Sequence, residues 1–280
     1  MTTERTPTIS EFYDAHPINE DEILSKLTAA GVDPERATAL HLSEFDQDHY
    51  GGAEAVDRLA DAAGINPAQH VLDVCSGMGG PARWLAYHRG CRVTGLDVTQ
   101  SRVESARRLT DRVGLSHVVD FQLGDATEMP FAPESFDALI SQEAFLHIAD
   151  KTALVRECAR VMKVGGMLAF TDVVMRTQLQ SITLERLERD IHTANLATDE
   201  LYGALLTVNG CTVVQQDDLS AEWADLLSAR LEMYRSLRDT TVAKFGTAHF
   251  EHYDRAYEHY ASCFSTGLLG GIRVVARKSG

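Results

Sequence analysis

Apolar and polar positions change their period several times along the chain, and each change marks an element. Over residues 19–31, Ile23, Leu24, Leu27 and Ala30 recur at helical spacing, and Gly31 supplies a stop. A second short helix is predicted over 34–42, then a polar and aromatic stretch at 44–52, then a helix over 53–63. At 70–75 comes a short apolar run holding one acid, Asp73. Such a run reads as a strand covered on both faces, the habit of parallel sheets. From there strands are predicted at 92–97, 118–123, 136–141 and 166–173, with helices at 100–113 and 151–162. Strands and helices taken in turn imply right-handed crossovers and a parallel sheet. Past Val173 the alternation loosens. Helices are predicted at 182–196, 200–209, 221–244 and 249–264, and a strand at 211–216. A last strand at 270–278 sets Ile272, Val274 and Ala276 against Arg273, Val275 and Arg277, which suits a position near a sheet edge. Residues 1–7 read as a frayed terminus.

The most informative stretch follows the first strand. Ser76 to Gly80 is a small glycine-rich turn, Pro81 suits a first helical position, and Ala82, Leu85 and Ala86 open an apolar helical face. Gly77, Gly79 and Ala82 satisfy the G-x-G-x-x-A form of a dinucleotide-binding turn, and Asp97 stands twenty residues past Gly77, where a ribose-binding acid belongs. Two ligand classes meet this description: a nicotinamide dinucleotide and S-adenosylmethionine. Their charges separate them. Pyrophosphate favours a helix N-terminus with basic neighbours, whereas S-adenosylmethionine carries a sulfonium cation and a zwitterion. Asp73 precedes the turn and residues 71–82 contain no Lys or Arg, which favours the cationic cofactor. Gly124-Asp125-Ala126 adds a third acid after the third strand, placed to accept from an adenine amine. Plainer roles exist for each: a tight turn, a helix N-cap at Asp97, a turn Asp at Asp125. Three acids at three successive strand ends outweigh them, because a dinucleotide site does not need the third.

Composition narrows the partners. Apolar residues make up 44% and charged residues 24% of the 280, an ordinary globular balance. A formal charge of −15 argues against nucleic acid and against an anionic membrane surface. Cys75, Cys91, Cys158, Cys211 and Cys263 are scattered, with no C-x-x-C pair, and fit reduced thiols in a cytoplasmic protein. No run approaches a membrane span, and residues 1–10 are too polar for a signal peptide. His249, His252 and His259 share one region without a regular partner set, so no metal is assigned.

Residues 71–80, Gly95-Leu96-Asp97-Val98, Gly124-Asp125-Ala126 and residues 161–166 resemble the successive motifs of class I S-adenosylmethionine-dependent methyltransferases. Cys75 is a departure, since the family usually has glycine there. The resemblance implies an α/β fold: a seven-stranded, mostly parallel Rossmann-like methyltransferase sheet with helical insertions before the last strand. An N-terminal helical cap over 1–52 would precede a methyltransferase domain over 53–280, with lid insertions at about 176–197 and 221–266. It implies cofactor contacts from Asp73, Cys75, Ser76, Gly77, Gly79, Asp97, Val98, Gly124, Asp125, Ala126 and Gln142. Ser141-Gln142-Glu143-Ala144-Phe145-Leu146-His147 and Tyr50-Gly51-Gly52 resemble the sarcosine/dimethylglycine and phosphoethanolamine N-methyltransferase group. There a His of the strand-four motif and an N-terminal Tyr work together at the acceptor, and His147 and Tyr50 are the matching positions. Glu143 is a third candidate at the reacting end. Gln47 and His49 in the lead, with Arg230 and Tyr234 in the late helices, are candidates for holding the acceptor. The expected activity is methyl transfer to a small-molecule amine by a monomer or homodimer. The alternatives are O- or C-methylation of a natural-product or lipid-like metabolite, an NAD-dependent oxidoreductase, and a catalytically silent S-adenosylmethionine-binding subunit.

Overall fold

The computed structural model describes residues 8–14 and 18–280, so the terminus expected to fray at 1–7 lies outside the described residues. The elements in order are α1 (Ile9–Asp14), α2 (Glu20–Ala29), α3 (Ala39–Ser43), α4 (Gly52–Ala63), β1 (His70–Val74), α5 (Gly80–Arg89), β2 (Arg92–Asp97), α6 (Gln100–Arg112), β3 (Val119–Leu123) and β4 (Phe136–Gln142). They continue as α7 (Lys151–Val161), β5 (Met162–Met175), α8 (Ser181–Ile191), α9 (Asp199–Val208), β6 (Cys211–Asp218), α10 (Ser220–Ser236), α11 (Arg238–Phe245), α12 (Thr247–Ser265) and β7 (Leu269–Lys278).

The strands form one sheet in the order β3-β2-β1-β4-β5-β7-β6. Pairing is parallel from β3 to β5, and β7 runs antiparallel to both β5 and β6. Both faces of β1 are covered. Val71 packs with Val56, Leu59, Leu85 and Val103 on one side, while Leu72 and Val74 pack with Leu154, Cys158 and Phe170 on the other. The chain order reverses between β1 and β4, and an open α/β sheet binds ligands at the carboxyl ends of the strands beside that reversal.

Three expectations are corrected. The helix expected at 34–42 breaks, because Ala37 turns extended (φ −63°, ψ 145°) after a 3₁₀ turn and Thr38 caps α3 through the amide of His41. The helix expected at 221–244 divides at Leu237 into α10 and α11. The helix expected at 182–196 stops at Ile191, where His192 turns left-handed (φ 59°). The last strand does lie near an edge, with β7 inserted between β5 and the outermost β6 and Ile272, Val274, Val275 and Ala276 all buried. The six-residue α1 lies in a stretch with no readable period.

A candidate cofactor and methyl-acceptor site

The cradle starts where β1 ends. Cys75 has φ +62°, Gly77 +52° and Gly79 +78°, so the chain turns through three left-handed residues before α5. This explains the family's glycine at position 75. An L-residue held there costs roughly 1–2 kcal/mol, which Cys75 bears while packing against the core. Burial, with Asp97 next, pushes its thiol well above the usual range, which keeps it protonated. Gly79 has no alternative, since a Cβ would stand 2.3 Å from the Phe121 ring. A Cβ on Gly80 would stand 2.2 Å from the Asp46 carbonyl oxygen, so the chain before α4 lies directly on the turn. A Cβ on Gly77 would meet nothing within 4 Å, which leaves its main chain open to a ligand.

Asp97 accepts from the Gly77 amide through Oδ2 (2.8 Å) and from the Thr99 amide through Oδ1 (2.9 Å). A carboxylate has about four acceptor sites, so capacity remains for ribose hydroxyls. Burial raises its carboxyl above the usual range, and the Thr99 and Gly77 amides oppose this. Exposed apolar Val98 and Leu123 lie at the ends of β2 and β3, flat surface for an adenine ring. Gly124 donates its amide to the Asp97 carbonyl, and Ala126 is buried beside it. Asp125 is exposed and caps its own turn, accepting from the Thr127 amide and hydroxyl, both at 2.7 Å. On β1, Asp73 is 3% exposed and its Oδ2 has no donor. Burial, then the charge of Asp97, pushes it up to about 8. Ser76 Oγ and Gln142 Oε1 are likewise buried without partners. Unpaired buried acceptors call for a donor from outside the chain. Acceptors at the β1 and β4 ends, with ribose-type acceptors at β2, fit the ammonium and ribose of S-adenosylmethionine.

At the far side stands His147, in the turn Phe145–His147. Asp172 fixes that turn by accepting from the Leu146 amide (3.0 Å) and the Tyr202 hydroxyl (2.6 Å). Burial pushes Asp172 up to about 6. His147 Nδ1 faces the His192 carbonyl at 2.9 Å, an acceptor, so Nδ1 carries the proton and Nε2 is a lone pair. The Tyr13 hydroxyl donates to that lone pair at 3.0 Å. Arg102 secures the approach by donating to the carbonyls of Tyr13 (2.7 Å) and Ile18 (2.8 Å), with its guanidinium 5.2 Å from the centre of the Tyr13 ring. Burial, then Asp48 and Asp97, raises the Tyr13 phenol, so it stays protonated.

The expected pairing of Tyr50 with His147 is thus corrected: Tyr13 takes that place. The Tyr50 hydroxyl bonds Tyr260 (3.3 Å), and its ring lies between Trp223 and the Arg230 guanidinium. Glu143 is corrected too, because both its oxygens are engaged, by the Tyr50 amide and the Thr171 hydroxyl, each at 2.6 Å. Burial pushes it up to about 7. It bolts the Tyr50 turn to the sheet and is not free to hold an acceptor. Arg230 donates to the His49 carbonyl (3.1 Å) and shapes the lead from outside. Tyr234 stacks on Phe250 with centroids 5.0 Å apart and packs α10 on α12. Gln47 and His49 are bonded to each other at 2.8 Å beneath the lead. Reasoning from sequence missed Tyr13, Arg102, Asp46 and Arg83. The last two form a buried ion pair at 2.9 Å. A surface cleft of about 400 Å³ lined by Met175, Arg176, Asp199 and Glu200 shares no residue with this cluster.

Sheet order, glycine turn and strand-end acids define a class I S-adenosylmethionine-binding fold. A family model described as a methyltransferase domain matches residues 72–170. Methyltransferase GfsG of Streptomyces halstedii is 33% identical over 183 residues, which cover 64% of this chain and 66% of that protein. A glycine/sarcosine/dimethylglycine N-methyltransferase of Actinopolyspora halophila is 28% identical over 222 residues, 79% of this chain and 39% of the relative. The chain therefore spans only part of the length of both curated relatives. Phosphoethanolamine N-methyltransferase 2 of Haemonchus contortus, solved with phosphomonomethylethanolamine and S-adenosylhomocysteine, superposes with a TM-score of 0.76 at 19% identity, covering 98% of this chain and 61% of that one. Residues 72–170 therefore carry a methyltransferase domain, the chain is similar to S-adenosylmethionine-dependent methyltransferases, and S-adenosylmethionine is its cofactor. The nicotinamide reading falls.

Proposed function

We propose that this protein methylates a nitrogen of a small-molecule amine. The observation that carries the reading is the hydrogen bond from the Tyr13 hydroxyl to His147 Nε2, made from a fixed His147 tautomer beside the cofactor cradle. Bound cofactor supplies an electrophilic methyl group on a sulfonium. The chain's part is to orient the acceptor and bare its lone pair. An ammonium N–H facing Tyr13 passes its proton to the phenol oxygen as that phenol's own proton moves to His147 Nε2. The resulting imidazolium keeps its Nδ1–H on the His192 carbonyl, so no buried donor is stranded. Asp172 holds the turn bearing His147, and α1, clamped by Arg102, covers the approach and excludes water. Asp48 and Asp97 face Tyr13 with negative charge that Arg102 partly offsets, two carboxylates against one guanidinium on the side where a cationic amine would arrive. The amine acceptors in the name of the Actinopolyspora halophila relative support the same class.

We read residues 1–52 as a cap on the domain 53–280, with 176–197 and 221–266 as lid insertions, working in the cytoplasm as a monomer or homodimer without nucleic acid. Among the described residues no helix is long and apolar enough to cross a membrane. The test is incubation with S-adenosylmethionine and a panel of sarcosine, dimethylglycine, phosphoethanolamine, other small amines and matched alcohols, followed by mass spectrometry. An N-methylated product supports the reading. Product formed only on oxygen or carbon, or cofactor binding with no turnover on any acceptor, overturns it.

A further inference from the structure

A line of buried side chains runs from α5 to the end of β4. Arg83, 1% exposed, donates Nε (3.2 Å) and a terminal nitrogen (2.9 Å) to Asp46 Oδ2. Asp46 Oδ1 meets Gln47 Nε2 at 2.7 Å, Gln47 Oε1 meets His49 Nε2 at 2.8 Å, and His49 Nδ1 meets Gln142 Nε2 at 2.9 Å. Two amides and an imidazole each have two ways round, and Arg83 decides between them. A guanidinium only donates, and Asp46 is the one carboxylate it touches among the described residues. Burial raises the Asp46 carboxyl, but an Arg this deeply buried needs its counter-charge, so Asp46 is ionised and only accepts. Gln47 must then turn its NH₂ to Asp46 and its oxygen to His49. His49 must carry its proton on Nε2. Burial pushes its pKa down to about 4, so the ring is neutral and Nδ1 is a lone pair that takes an N–H from Gln142. The 3.2 Å approach of Nδ1 to the Tyr50 carbonyl is then a contact between two acceptors, not a hydrogen bond. One group remains at the end of the line. Gln142 Oε1 is buried, an acceptor, and without a donor.

Gln142 closes β4, two residues past Ile140, which pairs with Asp73. The unpaired acceptors Asp73 Oδ2 and Ser76 Oγ belong to the adjoining end of β1 and the turn after it. Several unpaired acceptors around one crevice suit a group with several N–H bonds. We propose that Arg83, Asp46, Gln47 and His49 are positioning residues which lock the Gln142 amide with its oxygen toward the β1–β4 crevice, where it accepts from the α-ammonium of S-adenosylmethionine. The inference rests on that cofactor. It makes the chain before α4 part of the cofactor site without touching the ligand.

Calorimetry with two probes tests this: S-adenosylhomocysteine, which has the ammonium, and 5′-methylthioadenosine, which lacks the whole amino-acid moiety. Asp46→Asn keeps the shape but offers NH₂ to Gln47, which reverses every group down to Gln142 and points an N–H at the ammonium. It should weaken S-adenosylhomocysteine by about tenfold or more and leave methylthioadenosine within about threefold. Gln142→Leu should show the same split, and the double variant should be no worse than Gln142→Leu alone. Equal losses for both probes, no loss for either, or additive losses in the double variant overturn the relay. Asp46→Asn also strips Arg83 of its counter-charge, so the wild-type protein carries an independent test. Nitrogen-15 NMR should show His49 as the neutral Nε2–H tautomer, and an Nδ1–H tautomer overturns the proposal. Wild-type protein that binds neither probe strikes at the cofactor itself, and the inference falls with it.

Discussion

Asp73, with its unpaired Oδ2 at the end of β1, should make cofactor binding depend on protons. It is 3% exposed, and burial together with the charge of Asp97 pushes its pKa up to about 8. In the free protein near neutrality it is therefore mostly neutral, and an arriving ammonium favours its carboxylate. Ionising it to meet that cation costs about 1.4 kcal/mol for each pH unit below about 8. S-adenosylhomocysteine should accordingly bind roughly tenfold tighter at pH 7 than at pH 6, with about one proton released per ligand bound. Near pH 8 the free ligand's own α-ammonium begins to titrate, so the informative window lies between about pH 6 and 7.5. Calorimetry in buffers of different ionisation enthalpy counts the released proton. Asp73→Asn should flatten the pH dependence and abolish the release. Flat affinity in the wild type with no proton released refutes the argument. Stability should move the other way. The folded pKa lies above the unfolded one, about 3.9, so the free fold holds an extra proton between them, and Asp73's contribution falls as pH rises from about 4 to 8.

Other outcomes follow from the remaining contacts. Asp97→Ala removes the ribose acceptors and frees the Gly77 and Thr99 amides, so S-adenosylhomocysteine affinity should drop at least about tenfold, roughly 1.4 kcal/mol; unchanged calorimetry in a folded variant removes the ribose assignment. His147→Ala and Tyr13→Phe should each lower kcat about a hundredfold or more with cofactor affinity intact, and in His147→Ala the rise of rate with pH should flatten; normal turnover in either leaves that side chain as scaffold. Arg230→Ala releases the His49 carbonyl and the face of Tyr50, so acceptor KM or rate should change while S-adenosylhomocysteine affinity stays within about threefold; a matching loss of cofactor affinity would place Arg230's influence in the cradle.

The parts of this architecture readable from sequence are those governed by local rules. β2 is expected at 92–97 and observed as Arg92–Asp97, because a buried parallel strand ending in an acid before a helix has few other readings. The glycine turn, Asp97 and Asp73 are legible for the same reason: spacing along one chain determines them. Tyr13 is not, since six residues of α1 carry no helical period and its partner His147 lies 134 positions away. A lone Arg83 beside an apolar helical face reads as surface, and only its partner Asp46, from 37 positions earlier, accounts for its burial. Glu143 and Tyr50 are legible as candidates at the reacting end but not as partners of each other. Chemistry alone does not tell a carboxylate awaiting a ligand from one already satisfied by an amide 93 positions away.

These long-range pairs bear on where the cofactor site begins. Ile23, Leu27 and Leu42 from the first helices share one apolar cluster with Met78 of the glycine turn and Leu109 of α6. The Asp46 carbonyl occupies the space a Cβ on Gly80 would need, and Arg102 draws α1 toward α6. A cradle formed by β1 and α5 alone would leave Met78 exposed and Arg83 buried without a counter-charge, and removing one partner of a buried pair costs roughly 3–5 kcal/mol. The turn therefore leans on the preceding chain, which packs over Gly80 and Met78 and supplies the counter-charge of Arg83. That chain also brings Tyr13 to His147 and His49 to Gln142. The same preceding chain thus ties the glycine turn at one end to His147 at the other, the two ends that the proposed function assigns to the cofactor and the acceptor.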